Sequence, residues 1–423
     1  MKTVFEKLRL IVKDSVLRRR ILITLALLVV FRFLSIIPIP GIDEARLNAF
    51  FSSNQFFGLL NIFSGGGLSQ LSIVMLGVGP YITASIVMQL MTILSPRLKA
   101  MYQEEGEIGR RKFGQYTRML TVPLAIVQAY GFMAILQRSG VIDTFTPFTL
   151  VTNIAIVTAG SVFLVWLGER ISEFGIGNGM SLLIFAGIVA TLPQALYQTA
   201  FRFDASQIPV YVALVVAAVA IIYAVVVITE AERPIPVTYA KRVRGNKVYG
   251  GVSTYLPLRL NQAGVIPIIF ALSLLLFPQV IFQFLARVNN ATVQAASQWI
   301  LNVLQNQWAY AAIYFVLVFA FTYFYTAVTF DPQQLSSNLQ KNGAFIPGVR
   351  PGQSTAQYIS RILTRLTAFG ALFLGIIAVL PLVVQVFAPG MAIAIGGTGL
   401  LIAVSVVIDL IKKTEAQVTM KEY

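Results

Sequence analysis

The chain has 423 residues, of which 57% are hydrophobic and only 12% are charged, and its net charge is +15. A soluble globular protein carries roughly twice this charged fraction, and a chain this apolar lacks the polar surface that water requires. The composition therefore indicates an integral membrane protein. Cysteine and histidine are both absent, which excludes disulfide frameworks, iron–sulfur clusters, thiol nucleophiles, His-ligated haem or zinc, and Ser–His hydrolases.

Apolar runs near the length that crosses hydrocarbon, roughly 20 residues, recur from end to end. They predict an all-α polytopic membrane protein with ten transmembrane helices and no soluble domain. The predicted spans are 21–37, 72–94, 116–137, 151–168, 180–198, 209–229, 262–285, 308–329, 362–385 and 392–411.

The first 20 residues precede the first span and contain seven basic side chains. We interpret residues 1–20 as an amphipathic cytoplasmic segment and not as a cleavable signal peptide, because no small-residue cleavage site follows the apolar run. Pro38, Pro40 and Gly41 end the helix instead, as expected of helix stop signals.

The distribution of Lys and Arg predicts the orientation. With the N-terminus in the cytoplasm, 27 of the 32 basic residues lie in predicted cytoplasmic regions or at the adjoining span ends. This is the positive-inside pattern, so both termini, including the tail 412–423, are predicted to be cytoplasmic. The positive charge is then mostly a topological signal and does not by itself imply nucleic-acid binding.

Residues 56–67 are apolar but too short to span the membrane, and Gly65-Gly66-Gly67 breaks any helix there. Irregular backbone at membrane depth is tolerated only inside protein or along a water-filled cavity. The segment therefore predicts a re-entrant element, and an external loop with an interfacial helix is the alternative.

Charged residues are nearly missing from the spans: Arg32 lies late in the first, and Asp409 lies near the cytoplasmic end of the last. A secondary transporter built from two inverted halves is the main rival function. Such transporters commonly use buried charges to bind ions, so their scarcity counts against this rival without eliminating it. The sparse neutral polar groups, such as Gln128 and Asn261, are typical either of hydrogen bonds between helices or of a functional site.

Two glycine clusters, 175–179 and 396–399, resemble phosphate-binding loops only superficially. Neither follows a β-strand in a βαβ unit, and neither carries the lysine of a P-loop. Both predict helix-entry turns with positive φ.

Two loops are long and patterned. Alternation from Pro236 to Tyr255, broken at residues 244–246, predicts a β-hairpin within the loop 230–261. The loop 330–361 contains the turn-rich segment 345–352, which presents Arg350. Docking of a cytosolic partner explains such ordered loops, whereas the positive-inside pattern alone explains their charge but not their Pro/Gly content.

Motifs along the whole chain resemble the SecY family, the central subunits of the bacterial Sec protein translocon. The matching segments are 31–41 (FRFLSIIPIPG), 61–66 (NIFSGG), 79–82 (GPYI), 105–112 (EGEIGRRK), 175–179 (GIGNG), 239–242 (YAKR), 261–267 (NQAGVIP), 345–352 (FIPGVRPG) and 396–398 (GGT).

The resemblance implies two pseudo-symmetric five-helix halves, 21–198 and 199–411, around a central pore in the cytoplasmic (inner) membrane. The residues that match the family's hydrophobic pore ring are Val78, Ile82, Ile184, Ile269 and Ile402. The segment 56–69 matches the plug, represented by Phe57, Leu60, Asn61, Phe63, Ser64, Gly65 and Gly66. The implied function is conduction of unfolded, signal-bearing polypeptides across the membrane.

The resemblance also implies a lateral gate that releases transmembrane segments into lipid, with the polar cluster Thr83, Gln128 and Asn261. Lys241, Arg242 and Arg350 match surfaces that dock the ribosome, including its RNA, and the SecA motor ATPase. Small SecE-like and SecG-like membrane subunits are further implied partners, besides signal sequences, nascent polypeptides and membrane lipids. The channel itself is expected to be no enzyme and to hold neither cofactor nor metal.

Overall fold

The computed structural model describes residues 14–39, 67–68, 70–138, 146–201, 208–239, 242–244, 247–249, 253–286, 290–387 and 397–422. These residues form two compact units. The first unit contains the described residues within 1–207, 273–301 and 388–423, and the second contains those within 208–272 and 302–387.

Helices account for most of the described chain. They are α1 (Ser15–Leu34), α2 (Gly79–Leu94), α3 (Pro96–Gln103), α4 (Gly106–Arg138), α5 (Pro147–Phe174), α6 (Gly179–Phe201), α7 (Ile208–Glu230), α8 (Ile266–Leu285), α9 (Ala291–Gln305), α10 (Gln307–Thr329), α11 (Pro332–Lys341), α12 (Gln353–Phe387) and α13 (Gly397–Glu422). The strands are β1 (Glu232–Tyr239), β2 (Arg242–Arg244), β3 (Lys247–Tyr249), β4 (Ser253–Arg259) and β5 (Ala344–Phe345).

Every predicted span overlaps a helix, and the polytopic membrane fold is confirmed. Within the described ranges, five helical segments are by themselves long and apolar enough to cross a membrane: Gly106–Gln137, Pro147–Phe174, Tyr211–Glu230, Gln307–Lys341 and Gln353–Val383. Shorter apolar helices supply the candidates Gly79–Leu94, Gly179–Pro193 and Ile266–Leu275. The helices α3, α9 and α11 lie outside the predicted spans.

Local chemistry determines where several helices begin. Thr146 precedes α5, and its side chain accepts a hydrogen bond from the backbone N–H of Thr149. Asp331 precedes α11, and its Oδ1 accepts from the N–H groups of Gln333 and Gln334 at 2.8 and 3.3 Å. Both helices have proline as their first residue, a position at which the missing N–H costs nothing.

In the first unit, the segment 70–78 forms successive turns before α2. The predicted span 72–94 therefore becomes helical only at Gly79, and Gly77 has a φ of +57°. Backbone hydrogen bonds join this segment to residues at and just beyond the end of the first predicted span. The N–H of Ile39 donates to the carbonyl of Leu71, and the N–H of Ile73 donates to the carbonyl of Ile37.

Leu71 adopts the left-handed region, with a φ of +41°, although its side chain is fully buried. Left-handed backbone is costly for a residue with a branched side chain, so packing must offset that cost. The core around it contains Ile39, Leu68, Leu71, Met75, Ala129, Phe132, Met133, Leu136 and Val157.

The second unit combines α10 packed against α12 with a three-stranded sheet in the order β4-β1-β5. Strand β1 pairs antiparallel with β4, which places Ile235 opposite Leu256, and β2 pairs with β3. The predicted hairpin is thus confirmed. Strand β5 pairs with the other edge of β1, so the loops 230–261 and 330–361 form one sheet. Its core contains Ile235, Val237, Leu258, Ala344, Ile346, Ile359 and Leu363.

Candidate functional site

The first two predicted pore residues lie where the turn segment becomes α2. Val78 precedes the first helical residue, and its side chain is buried. The N–H of Ile82 donates to the carbonyl of Val78 at 3.1 Å, so the two side chains occupy neighbouring turns on one side of the helix start. The helix start at Gly79, within the sequence Gly77-Val78-Gly79-Pro80, therefore determines where Val78 and Ile82 lie.

The other three pore candidates also lie near the beginnings of helices. Ile184 is in the second turn of α6, Ile402 is in the second turn of α13, and Ile269 is in the first turn of α8. All three side chains are buried. Helices α6 and α13 pack against each other within the first unit, whereas Ile269 belongs to the second unit. The ring itself stays a prediction.

The predicted plug residues, from Phe57 to Gly66, lie outside the described residues. Of the 56–69 segment, Gly67 and Leu68 are described, and both are buried. Leu68 packs in the core that contains Leu71. The C-terminal end of the predicted plug segment is therefore attached to the first unit just before α2.

Two of the three predicted gate residues are in contact. Gln128 Nε2 on α4 donates to Thr83 Oγ1 on α2 at 3.4 Å, and Thr83 Oγ1 donates to the Gly79 carbonyl at 3.1 Å. Asn261, in the second unit, donates from Nδ2 to the Gly264 carbonyl at 3.2 Å. Its Oδ1 is buried without a hydrogen-bond partner in the described part of the chain. All three side chains are neutral, and their bonds are long.

The predicted docking residues differ in how far the structure places them. Lys241 lies outside the described residues, and Arg242 is the first residue of β2, opposite Tyr249. Arg350 is exposed in the turn that follows β5, where its backbone carbonyl accepts from Thr355 Oγ1 at 2.9 Å. The pairing of β5 with β1, which joins the two loops, could not be predicted from the sequence. A two-residue strand such as β5 gives no recognisable pattern.

The glycine cluster 175–179 forms the helix-entry turn that the sequence predicts. Gly177 has a φ of +86°, and Asn178 Oδ1 accepts from the N–H of Met180 at 3.0 Å at the start of α6. The N–H of Ile176 donates to Thr24 Oγ1 on α1 at 3.2 Å, so this turn also joins three helices. Of the second cluster, Gly396 lies outside the described residues, and α13 begins at Gly397.

An ion pair between two helices was missed by the sequence reasoning. Arg118 Nη1 on α4 donates to Glu169 Oε2 on α5 at 2.8 Å, and the phenol of Tyr81 on α2 lies close enough to be influenced by both charges. Two further ion pairs, Arg170–Glu173 and Lys413–Asp409, each lie within one helix. By sequence alone, Arg118 is only a positive charge at the end of a predicted span.

Comparisons with known proteins agree with this architecture. The SecY family model matches residues 72–411. The protein translocase subunit SecY of Streptomyces scabiei is 41% identical over 430 aligned positions, which cover 97% of both chains. Among solved structures, one on the plug domain of the SecY protein has a TM-score of 0.67 at 21% identity, and covers 98% of this chain and 97% of that one.

A second similar structure is Sec61 in a canine ribosome–channel complex, with a TM-score of 0.62 at 18% identity, covering 98% of this chain and 97% of that one. At these identities the structures indicate a shared fold, whereas the Streptomyces relative and the family model together cover nearly the whole sequence. The chain belongs to the SecY family of protein translocase subunits.

Proposed function

We propose that this chain forms a channel through which unfolded, signal-bearing polypeptides cross the cytoplasmic membrane and from which transmembrane segments leave laterally into lipid. The observation that carries the proposal is membership of the SecY family over nearly the full length of the chain. We further propose that the channel is not an enzyme and that its partners supply the driving energy.

The pore ring is proposed to be Val78, Ile82, Ile184, Ile269 and Ile402. Each lies at or just after the start of a helix. Branched apolar side chains offer no hydrogen bonds or charges to an ion, so a constriction made from them closes by dewetting. Such a ring is also indifferent to the side chains of the passing polypeptide.

The lateral gate is proposed to include Thr83, Gln128 and Asn261. The Gln128–Thr83 bond is 3.4 Å long and neutral, and one amide oxygen of Asn261 is unpaired within the described residues. Polar groups of this kind exchange partners at low cost, because a hydrogen bond between membrane helices contributes only about 0.6 kcal/mol. This suits a seam that separates when an apolar segment arrives.

The sheet β4-β1-β5 and the turn that carries Arg350 are proposed as the docking platform for cytosolic partners, namely the ribosome and a SecA-like motor. Lys241 and Arg242, in the loop 230–261, are proposed to belong to the same platform. The apolar core beneath the sheet, from Ile235 to Leu363, supports a rigid surface. Arginine and lysine suit both RNA phosphates and acidic protein faces. SecE-like and SecG-like subunits are proposed to accompany the chain in the membrane, with both termini of the chain in the cytoplasm.

The decisive experiment is single-channel conductance in liposomes, comparing the wild-type protein with a variant that lacks residues 57–67. We expect the wild type to be silent and the deletion variant to open in large, poorly selective steps, because the deletion removes the proposed plug and leaves only the apolar ring. A second arm measures uptake of small solutes driven by an ion gradient.

Silence of both proteins together with solute uptake would overturn the channel proposal and favour the secondary transporter. Large currents from the wild type, equal to those of the deletion variant, would keep the channel but reject 56–69 as its seal. Circular dichroism of both proteins, with equal helical content, serves as the folding control.

A further inference from the structure

A groove of about 710 Å³, lined by both polar and apolar side chains, lies between α10 and α12 in the second unit. Its α10 side runs from Tyr323 into the loop at Asp331, and its α12 side runs from Gln353 to Thr367. The groove belongs neither to the proposed pore ring nor to the proposed gate cluster. It therefore needs a separate explanation.

The groove brings together two opposite charges that are not paired with each other. Arg361 and Asp331 both line it, yet in the part of the chain that the structure describes the side chain of Arg361 forms neither an ion pair nor a hydrogen bond. Asp331 uses Oδ1 to cap α11, and Oδ2 is left without a partner there. An arginine and an aspartate that line one groove without forming an ion pair can each bind the opposite charge of a ligand. Such a ligand would carry one negative and one positive group.

The groove straddles the predicted edge of the hydrocarbon layer. Tyr323 and Thr326 lie inside the predicted span 308–329, whereas Asp331 lies beyond it. On α12, Leu363 and Thr367 lie inside the predicted span 362–385, and Arg361 lies just before it. The charged part of the groove is therefore at the depth of lipid headgroups, and the less polar part is at the depth of the first acyl carbons.

The helix surface below the groove is apolar and exposed. Leu372 and Ile376 are on the same side of α12 as Arg361, since they follow it by 11 and 15 residues, close to three and four helical turns. Their side chains are 49% and 51% exposed. A chain of methylene groups lying on this strip would be continuous with the groove above it.

We propose that this groove binds the headgroup of a zwitterionic aminophospholipid of the phosphatidylethanolamine type. The Arg361 guanidinium donates to the phosphate, where arginine's planar fork forms strong charge-assisted hydrogen bonds. The ammonium group of the lipid donates to Asp331 Oδ2. The Gln357 amide and the Ser360 hydroxyl, which also line the groove, supply neutral hydrogen-bond partners for the headgroup. The acyl chains lie along Leu372 and Ile376. A free phosphate shares the first of these contacts but not the others.

The test is native mass spectrometry of the delipidated chain in detergent, titrated separately with phosphatidylethanolamine, phosphatidylglycerol and inorganic phosphate. We expect one phosphatidylethanolamine to bind more tightly than either competitor. Arg361→Gln should weaken that binding about tenfold, because a charge-assisted bond to the phosphate is lost. Asp331→Asn retains a good helix cap and should abolish the preference for the ethanolamine lipid while leaving phosphatidylglycerol binding unchanged.

The matched control is Arg365→Gln, which removes an equal charge one turn along α12 from a residue that does not line the groove. It should leave binding unchanged. Equal losses in Arg361→Gln and Arg365→Gln, or equal wild-type affinity for the two lipids, would overturn the proposal in favour of a non-specific basic surface. Binding of inorganic phosphate as tight as that of the lipid would overturn it in favour of a free-anion site. None of these outcomes depends on channel activity.

Discussion

Helix α4 is joined to two of its neighbours, α5 and α2, by different kinds of contact. Toward α5, Arg118 and Glu169 form a charge-assisted bond of 2.8 Å. Toward α2, Gln128 and Thr83 form a neutral bond of 3.4 Å. Charge-assisted hydrogen bonds are shorter and about twice as strong as neutral ones. The polar contact of α4 with α5 is therefore expected to be stronger than its polar contact with α2.

Close backbone approach adds to the same difference. A side chain on Gly160 of α5 would collide with the carbonyl of Ile73, and one on Gly179 at the start of α6 would collide with the carbonyl of Gly168. These glycines let α5 contact the turn segment and α6 without any gap. Helix α5 is thus the fixed part of the first unit, whereas the polar groups of the proposed gate can exchange partners. Three sets of variants test this distinction.

The largest effect is expected from Gly160→Ala. The added methyl group has no free space against the Ile73 carbonyl, and overpacking of this kind costs about 1–3 kcal/mol. The measurement is the free energy of unfolding in mixed micelles, from the loss of helical circular dichroism as dodecyl sulfate is added.

Gly114→Ala is the matched control, because a Cβ at Gly114 of α4 meets no atom within 4 Å. This variant should be more stable than the wild type by roughly 0.5–1 kcal/mol, since alanine is the better residue in a helix interior. If the two variants were equally stable, the close approach of α5 to the turn segment would be wrong.

An intermediate effect is expected at the ion pair. The side chains of Arg118 and Glu169 are 45% and 31% exposed, so solvent screening limits the pair, and a double-mutant cycle with Arg118→Gln and Glu169→Gln should give a coupling energy of about 0.5–1 kcal/mol. The coupling should decrease when salt is added, because screening acts on exposed charges. The same unfolding assay measures it.

The pair Arg170–Glu173 serves as the reference cycle, because it joins residues within α5 only. Pairs of that spacing contribute about 0.2–0.5 kcal/mol. A coupling for Arg118–Glu169 no larger than that of the reference pair would mean that the link from α4 to α5 has no special strength.

The apolar pattern was enough to predict the helices of the predicted spans, but not α3, α9 and α11. Each predicted span holds one, because a bilayer leaves a long apolar segment little choice other than a hydrogen-bonded helix. The hairpin β1–β4 was also predicted, since alternation and a central turn are local features. The predicted span 72–94 begins earlier than α2, which starts at Gly79. The physical reason is the turn segment 70–78, whose backbone forms hydrogen bonds with residues 37 and 39.

Contacts between distant residues could not be predicted in this way. Arg118 and Glu169 are 51 residues apart, and no local pattern pairs them. Strand β5 has two residues and owes its existence to the free edge of β1. The predicted site residues came from matching motifs, and the structure adds the Thr83–Gln128 contact to that set.

The smallest effect is expected at this contact. Thr83→Val removes both the bond from Gln128 and the intrahelical bond to the Gly79 carbonyl. Thr121→Val on α4 removes only an intrahelical bond, to the Thr117 carbonyl, and is the control. The difference between the two variants in the unfolding assay should be about 0.6 kcal/mol or less, the usual contribution of a hydrogen bond between membrane helices.

A cycle of Thr83→Val with Gln128→Leu isolates the contact itself, and its coupling energy should be smaller than that of Arg118 with Glu169. If Thr83 and Gln128 belong to the gate, substitutions at these two residues should affect export more than substitutions at the ion pair, although they affect stability less. Thr83→Val should then change the export of substrates with weakened signal sequences, in reconstituted vesicles, more than Glu169→Gln does. A Thr83–Gln128 coupling as large as the ion pair's would mean that α2 and α5 hold α4 equally firmly, and the distinction between a fixed and an exchangeable side of α4 would be lost.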